Sequence, residues 1–305
     1  MAPVKIRLVK RLLAVYQRIR ASFSPQESKG AAQKLTQSET KSVMTATADA
    51  RSRYTTEAPS DDLAIALFDG SWTSQLPGRN GPGQNLLFDD IRIRWLIEKL
   101  GSVENMNVLE LGPLEGGHTW MLEQAGASVT AVEANQSAFM RCLVAHNLLG
   151  MNSKFMLGDF TKGLPSESRW DLVVASGVLY HLKSPEQLLS QISEVTDRIF
   201  IWTHYFEPDG SKWNADLDEK LNTKWRPDRT VVRSCHGIDV RLVPMYYEES
   251  VGWSGFCGGP DDLGNWLYRE DLLELLRALG FTKQEIAFDQ PNFVNGPSFA
   301  VLATR

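Results

Sequence analysis

Residues Asn107 to Gly117, NVLELGPLEGG, constrain the fold of this chain more than any other stretch. Val108, Leu109 and Leu111 make a short, nearly continuous apolar segment of the kind that lies inside a parallel sheet covered on both faces. Gly112, Gly116 and Gly117 then supply a tight turn into a helix, with little side chain where a ligand must approach the backbone. Strand, glycine turn and helix in this order point to a nucleoside bound at the edge of an α/β sheet.

The side chains between those glycines select the ligand. A dinucleotide fingerprint reads G-x-G-x-x-G, with bare backbone facing a pyrophosphate. Here Leu114 stands at the middle glycine. Glu115 is expected to set a carboxylate beside a phosphate, a like-charge contact that costs free energy. S-adenosylmethionine carries no phosphate, and its sulfonium and ammonium groups are cationic. Glu110 and Glu115 suit that ligand better than a dinucleotide, so an NAD-dependent oxidoreductase is the weaker reading of the same topology.

The following segments agree. After a helix from about His118 to Gln124, SVTAVEAN forms a second strand ending in Glu133, an acid at the spacing that holds ribose hydroxyls, with Ala134 and Asn135 on the turn beside it. A third strand, KFMLGDF, ends in Asp159 and Phe160. There the carboxylate is expected to accept from an adenine amino group, and the ring to pack on the base. The fourth, WDLVVASGVLYHL, runs apolar from Leu172 to Ala175 and breaks at Ser176 and Gly177, where strand ends meet the ligand crevice.

These four segments in this order resemble the class I S-adenosylmethionine-dependent methyltransferases, over most of residues 85 to 305. ELGPLEGG corresponds to the first motif of that family, Glu110, Gly112 and Gly116 matching its acid and two of its glycines, while Leu114 departs from it. The resemblance implies a Rossmann-like α/β fold: a seven-stranded, mostly parallel sheet with helices on both faces. It also implies S-adenosylmethionine as cofactor, Glu133 at the ribose, Asp159 at the adenine, and the Ser176 to His181 stretch at the methionyl side and reaction centre. GVLYHLKSP is locally similar to the bacterial tRNA wobble-uridine carboxymethyltransferases, a likeness that carries no substrate with it.

A fifth strand, RIFIWTHYF, follows a helix from about Pro185 to Val195 and ends at His204. Neighbouring strand ends face one crevice, so His181 and His204 are expected near the transferable methyl group, with Tyr180 and Tyr205 closing the pocket. Methyl transfer from a sulfonium needs alignment and exclusion of water, and a hydroxyl acceptor also needs a base. A neutral imidazole, His181 or His204, fits that role. Each histidine and tyrosine reads equally well as a structural residue.

Residues 206–268 exceed a minimal strand-helix repeat and carry Trp213, Trp225, Tyr246, Tyr247, Trp253, Phe256 and Trp266 with several arginines. They read as an aromatic-rich cap over the sheet edge, with Trp253 as a candidate substrate contact. Five glycines between Gly252 and Gly264 suggest a mobile or tightly turned lid. Aromatic faces with scattered polar donors suit a small polar organic molecule or a glycan, and also a stacked RNA base. The last helix, REDLLELLRALGF, turns Leu272, Leu273, Leu275, Leu276 and Leu279 inward, and two closing strands follow.

Charge separates the amino terminus from the rest. Residues 1–20 hold six of the 32 basic side chains and no acid, so the remainder carries 26 basic against 37 acidic residues, a net −11. Such a body is a poor general nucleic-acid binder. VKIRLVKRLLAVYQRIR has the pattern of a basic amphipathic helix suited to an anionic membrane, a partner, or its own domain. The polar stretch from about Ser22 to Asp61 reads as a linker, so the expected division is an arm at 1–62 and a transferase domain at 63–305. Order resumes near Leu63, and an amphipathic helix is expected from about Gln84 to Leu100, with Trp72 and Arg79 on a loop before it. Cys142, Cys235 and Cys257 have no metal-ligand spacing and cannot all pair. A reducing, cytoplasmic setting without a bound metal is expected, and no spanning segment, since no apolar run reaches about 18 residues. A non-catalytic nucleoside-binding adaptor is the remaining alternative.

Overall fold

The computed structural model describes residues 54–79, 83–165, 169–209, 224–253 and 255–305. The basic arm and Trp213 lie outside them. The chain divides into two compact units, 1–58 and 59–305, and all the elements below belong to the second.

The large sheet follows the apolar pattern. Its strands are β1 (Asn107–Leu111), β2 (Ser128–Glu133), β3 (Lys154–Leu157), β4 (Leu172–Ser176), β5 (Arg198–His204), β9 (Lys283–Gln290) and β10 (Ser298–Thr304), in the order β3-β2-β1-β4-β5-β10-β9. The first five are mutually parallel, and β10 runs antiparallel to both its neighbours. Alternate residues feed two cores. Leu109, Leu111, Val173, Ala175, Ile199 and Ile201 face one side, where helices α5 (Pro185–Val195) and α6 (Arg269–Ala278) supply Leu188, Ile192, Leu272 and Leu275. Val108, Leu172, Val174, Phe200 and Trp202 face the other, against α2 (Ile91–Leu100) and α3 (Gly117–Gln124). Two remaining helices, α1 (Asp61–Ala66) and α4 (Gln136–Leu149), lie near the leading segment and β3. The inward leucines of α6 are all buried, each contributing about 1.5–3 kcal/mol.

The leading helix starts later than its apolar pattern suggests. Leu87–Asp89 form a 3-10 turn, and α2 begins only after Asp90, whose carboxylate caps it through the Arg92 N–H at 2.8 Å. Trp72 is a buried plug, its indole donating to the Ile65 carbonyl at 2.9 Å, and Arg79 pairs with Asp61 at the surface.

Between β5 and α6 stands a three-stranded antiparallel sheet of β6 (Val231–Cys235), β7 (Ile238–Tyr246) and β8 (Leu263–Leu267). Its first hairpin turns through His236 and Gly237, both at positive φ, the geometry that matches strand twist. Strand β8 lies against the turn after β4: Asn265 donates through its backbone N–H to Leu182 and through Nδ2 to Lys183. The approach is so close that a Cβ on Gly264 would stand 2.1 Å from the Tyr180 carbonyl oxygen. Glycine is the one residue that fits there.

Candidate active site

Strand order reverses between β1 and β4, which opens a crevice at their carboxyl ends. In the β1 turn Gly112 and Gly116 take φ values of 67° and 79°, and Leu114 takes 57°. Leu114 thus adopts the left-handed backbone that glycine adopts freely, at a cost of about 1–2 kcal/mol. Its N–H donates to the Glu133 carboxylate at 3.0 Å.

Glu133, buried at the end of β2, also accepts from the backbone of Asn135 at 2.8 Å and of Ala134. Burial pushes its carboxyl above the usual range despite those donors. Glu110 is buried beside it, accepting from the Thr119 hydroxyl and lying 3.9 Å from His118 Nδ1. Burial raises this carboxyl too; His118 and Thr119 oppose the rise, and the Glu133 charge adds to it. A cation entering this crevice would relieve both groups. Asn135 caps α4 through the Ala138 N–H at 3.0 Å and donates from Nδ2 to the Phe256 carbonyl at 3.3 Å. Asp159 is exposed after β3, where its Oδ1 accepts from the Thr161 N–H and hydroxyl. Ser176 ends β4 with a buried hydroxyl that has no hydrogen-bond partner.

Two expectations on this side need correction. Glu115 does not face the crevice. It is fully buried and accepts from the Thr73 N–H (2.9 Å), the Ser74 N–H (2.7 Å) and Arg141 Nε (2.8 Å). Its charge is matched by Arg141, so the preference for a cationic ligand rests on Glu110 and Glu133. The Phe160 ring belongs to the main core with Leu111 and Val132, as an apolar side chain beneath the sheet edge rather than a platform for a base.

On the reaction side, the strand ends bring His181, His204 and Tyr180 together. The Tyr180 ring lies 4.1 Å from the His181 ring and 4.5 Å from that of His204. His204 is buried, stacked on Trp266 at 5.0 Å and edge-on to Trp202 at 5.1 Å. Its Nδ1 lies 3.0 and 3.2 Å from the Gly296 and Pro297 carbonyls. Carbonyls only accept, so Nδ1 carries the proton that they share. His181 differs. Burial, with a smaller contribution from His204, pulls its pKa down to about 3, and Nδ1 lies 2.8 Å from the Tyr247 hydroxyl. Burial holds the Tyr180 and Tyr247 phenols well above their ordinary range, so both stay protonated.

Tyr205 and Trp253 do not join this group. Successive strand residues point to opposite faces, so with His204 in the crevice the Tyr205 ring enters the main core. It packs edge-on against Phe299 at 5.6 Å, and burial raises its phenol to about 12. Trp253 is 61% exposed, on the segment that precedes β8. Trp202, Trp266 and Tyr247 take those places, and the Arg92 guanidinium lies 4.3 Å from the Trp202 ring centre. Asp90 grips Arg92 and lies 2.9 Å from His118 Nε2; burial works against its ionisation, but these two partners hold its carboxyl well below the usual range. Trp202 was legible, two residues before His204 on one strand; Trp266 and Tyr247 depend on the cap's register.

Residues 109–198 match a family model described as a methyltransferase domain. The chain therefore resembles a methyltransferase domain from β1 to the start of β5. Its fold is that of the N-terminal domain of EvdMO1, crystallised in the presence of SAH and D-fucose: TM-score 0.58 and 23% identity over 80% of this chain and 94% of that one. A ribosomal RNA small subunit methyltransferase A from Novosphingobium aromaticivorans is 44% identical over 63 residues, 21% of this chain and 22% of that protein. A tRNA U34 carboxymethyltransferase from Colwellia psychrerythraea is 30% identical over 98 residues, 32% of this chain and 30% of that protein. This chain therefore covers less than a third of either relative's length. No helix among the described residues is long and apolar enough to cross a membrane, and no cluster there could hold a metal ion.

The crevice suits the cofactor that the sequence implies: Glu133 ends β2, where the ribose hydroxyls are expected, Glu110 adds a second buried carboxylate, and the unpartnered Ser176 hydroxyl lies at the same sheet edge. Replacing Glu133 by Ala is expected to weaken cofactor affinity about 10–100-fold, the scale of hydrogen bonds to a charged group. Asp159→Ala should weaken it less, since that residue is exposed. Calorimetry giving wild-type affinity in both variants would remove these acids from the site. A pH dependence follows from the raised carboxyls. The charged forms favour a cation, so affinity should strengthen as pH rises through the window above the ordinary carboxylate range, with protons released on binding there. Calorimetry in buffers of different ionisation enthalpy counts those protons; a flat profile would contradict the reading.

Proposed function

We propose that this methyltransferase transfers the methyl group of S-adenosylmethionine to a hydroxyl of a small polar organic molecule or glycan, with His204 as the general base. The orientation of His204 carries the proposal: two carbonyls accept from Nδ1, so Nε2 is the nitrogen proposed to take the hydroxyl proton. His181, neutral and bonded to Tyr247, orients the turn after β4 instead. When bound, the cofactor supplies an electrophilic methyl on a sulfonium. The protein's part is then alignment and exclusion of water, for which the rings of Tyr180, Trp202 and Trp266 around His204 are suited. The D-fucose in the EvdMO1 crystals supports a sugar-like acceptor.

The likeness to the tRNA U34 carboxymethyltransferase supports a second reading, transfer to RNA. Electrostatics of the cap weigh against it. Arg226 pairs with Glu248, Arg233 with Glu186, and Arg241 with Glu270 and Asp271, so these arginines offer a phosphate backbone little unmatched charge. Incubation with methyl-labelled S-adenosylmethionine and a lysate, fractionated into protein, RNA, lipid and small molecules, separates the readings. Label in small molecules or glycans supports the first, and label in RNA replaces it with the second. Tight cofactor binding with no label anywhere indicates a non-catalytic adaptor. Labelled lipid would instead draw attention to the basic arm at residues 1–20 as a membrane contact.

A further inference from the structure

Residues 255–262 are tied to both flanks of the crevice. On the β2 side the Phe256 carbonyl accepts from Asn135 Nδ2 at 3.3 Å. On the β4 side Gly259 approaches the His181 carbonyl, to 3.9 Å from the place of a Cβ, and Asp261 pairs with Lys183 at 2.6 Å. Strand β1 lies between β2 and β4, so the chain from Phe256 to Gly259 passes over the end of β1, where the Gly112 turn begins. The lengths agree. Two strand spacings are about 9.5 Å, and three residues reach about 10–11 Å. Cys257 and Gly258 are therefore at mid-span. Gly258 is packed down on the cap, where a Cβ would stand 2.5 Å from the Phe256 ring and 2.8 Å from that of Tyr247.

Cys257 is open to solvent, whereas Cys142 is buried and Cys235 half-buried. Its thiol is nevertheless crowded: burial pushes its pKa up, Glu133 adds to the rise, and the thiol in turn raises the Tyr180 phenol. The ties of Phe256 and Gly259 thus hold an accessible Cys257 over the crevice, within reach of the Glu133 charge.

We propose that residues 255–262 form a strap across the donor crevice, which lifts to admit the cofactor and then covers it, with Cys257 on the cofactor side. The proposal rests on the crevice being the cofactor site, and one experiment separates the two. Full-length protein is treated with N-ethylmaleimide at fixed pH, with and without S-adenosylhomocysteine, and modification of each cysteine is followed by peptide mass. Saturating S-adenosylhomocysteine should slow modification of Cys257 at least tenfold and leave Cys235 unchanged. Asn135→Ser, which keeps a helix-capping oxygen but removes the amide donor to Phe256, should speed Cys257 modification several-fold without ligand and raise the S-adenosylhomocysteine dissociation rate. Calorimetric binding with an unchanged Cys257 rate would overturn the strap alone. No calorimetric binding at all would overturn the crevice assignment and the strap with it.

Discussion

Replacing His204 by Asn is expected to lower turnover about 10²–10⁴-fold, the range for loss of a general base, while S-adenosylhomocysteine affinity stays near wild type. Asparagine is the informative substitute because its amide can still donate to the Gly296 and Pro297 carbonyls that hold Nδ1. Those acceptors would keep a partner, and the loss would report the missing lone pair on Nε2. Rates would be measured with whichever acceptor the labelling experiment returns. The pH profile gives the sharper test: the acidic limb of kcat/KM set by a single protonation should vanish in the variant. His181→Asn should keep that limb, since a ring with a pKa near 3 is already neutral across the working range. A variant of His204 retaining more than about a tenth of wild-type turnover would indicate an acceptor that needs no base, as a nitrogen or carbon nucleophile can.

Much of the donor side was legible because its signals are local. A strand buried on both faces declares itself in four or five consecutive residues, as VLEL and LVVA do, and the acid or glycine at the crevice edge comes next in the chain. Glu110, Glu133 and Ser176 needed no knowledge of tertiary contacts. Glu115 did. Its partners, Thr73, Ser74 and Arg141, stand 26 to 42 residues away, and a glutamate in a glycine turn reads as ligand-facing until they are known. Tyr205 is a different kind of miss, because the alternation that sends it away from His204 was already available in the sequence. The expectation of a helix from Gln84 likewise passed over a local signal, the capping aspartate Asp90 before IRIRW, which sets the start of α2 at Ile91. Nothing local distinguished Trp253, which is exposed, from Trp266, which stacks on His204; that difference arises from the register of β7 with β8.

The Glu115–Arg141 pair should dominate stability as His204 is proposed to dominate turnover. Both side chains are essentially buried, so removing the guanidinium strands a carboxylate in the interior, and Arg141→Met is expected to cost about 3–5 kcal/mol. For a domain of this size that is roughly 6–20 °C in Tm. The double variant Glu115→Gln with Arg141→Met should recover part of the loss, since no unmatched charge remains, although the Gln oxygen can replace only one of two carboxylate acceptors for Thr73 and Ser74. Hydrogen exchange at those two amides distinguishes a local from a global effect. If Glu115 anchors the leading segment to the cofactor turn, Thr73 and Ser74 should lose protection in the single variant before the sheet does. The same loosening would reach the donor site, because Leu114, next to Glu115, gives its N–H to Glu133. Cofactor affinity should therefore fall in Arg141→Met even well below its melting temperature. Unchanged affinity together with an unchanged Tm would mean that the Glu115–Arg141 pair is dispensable to the turn.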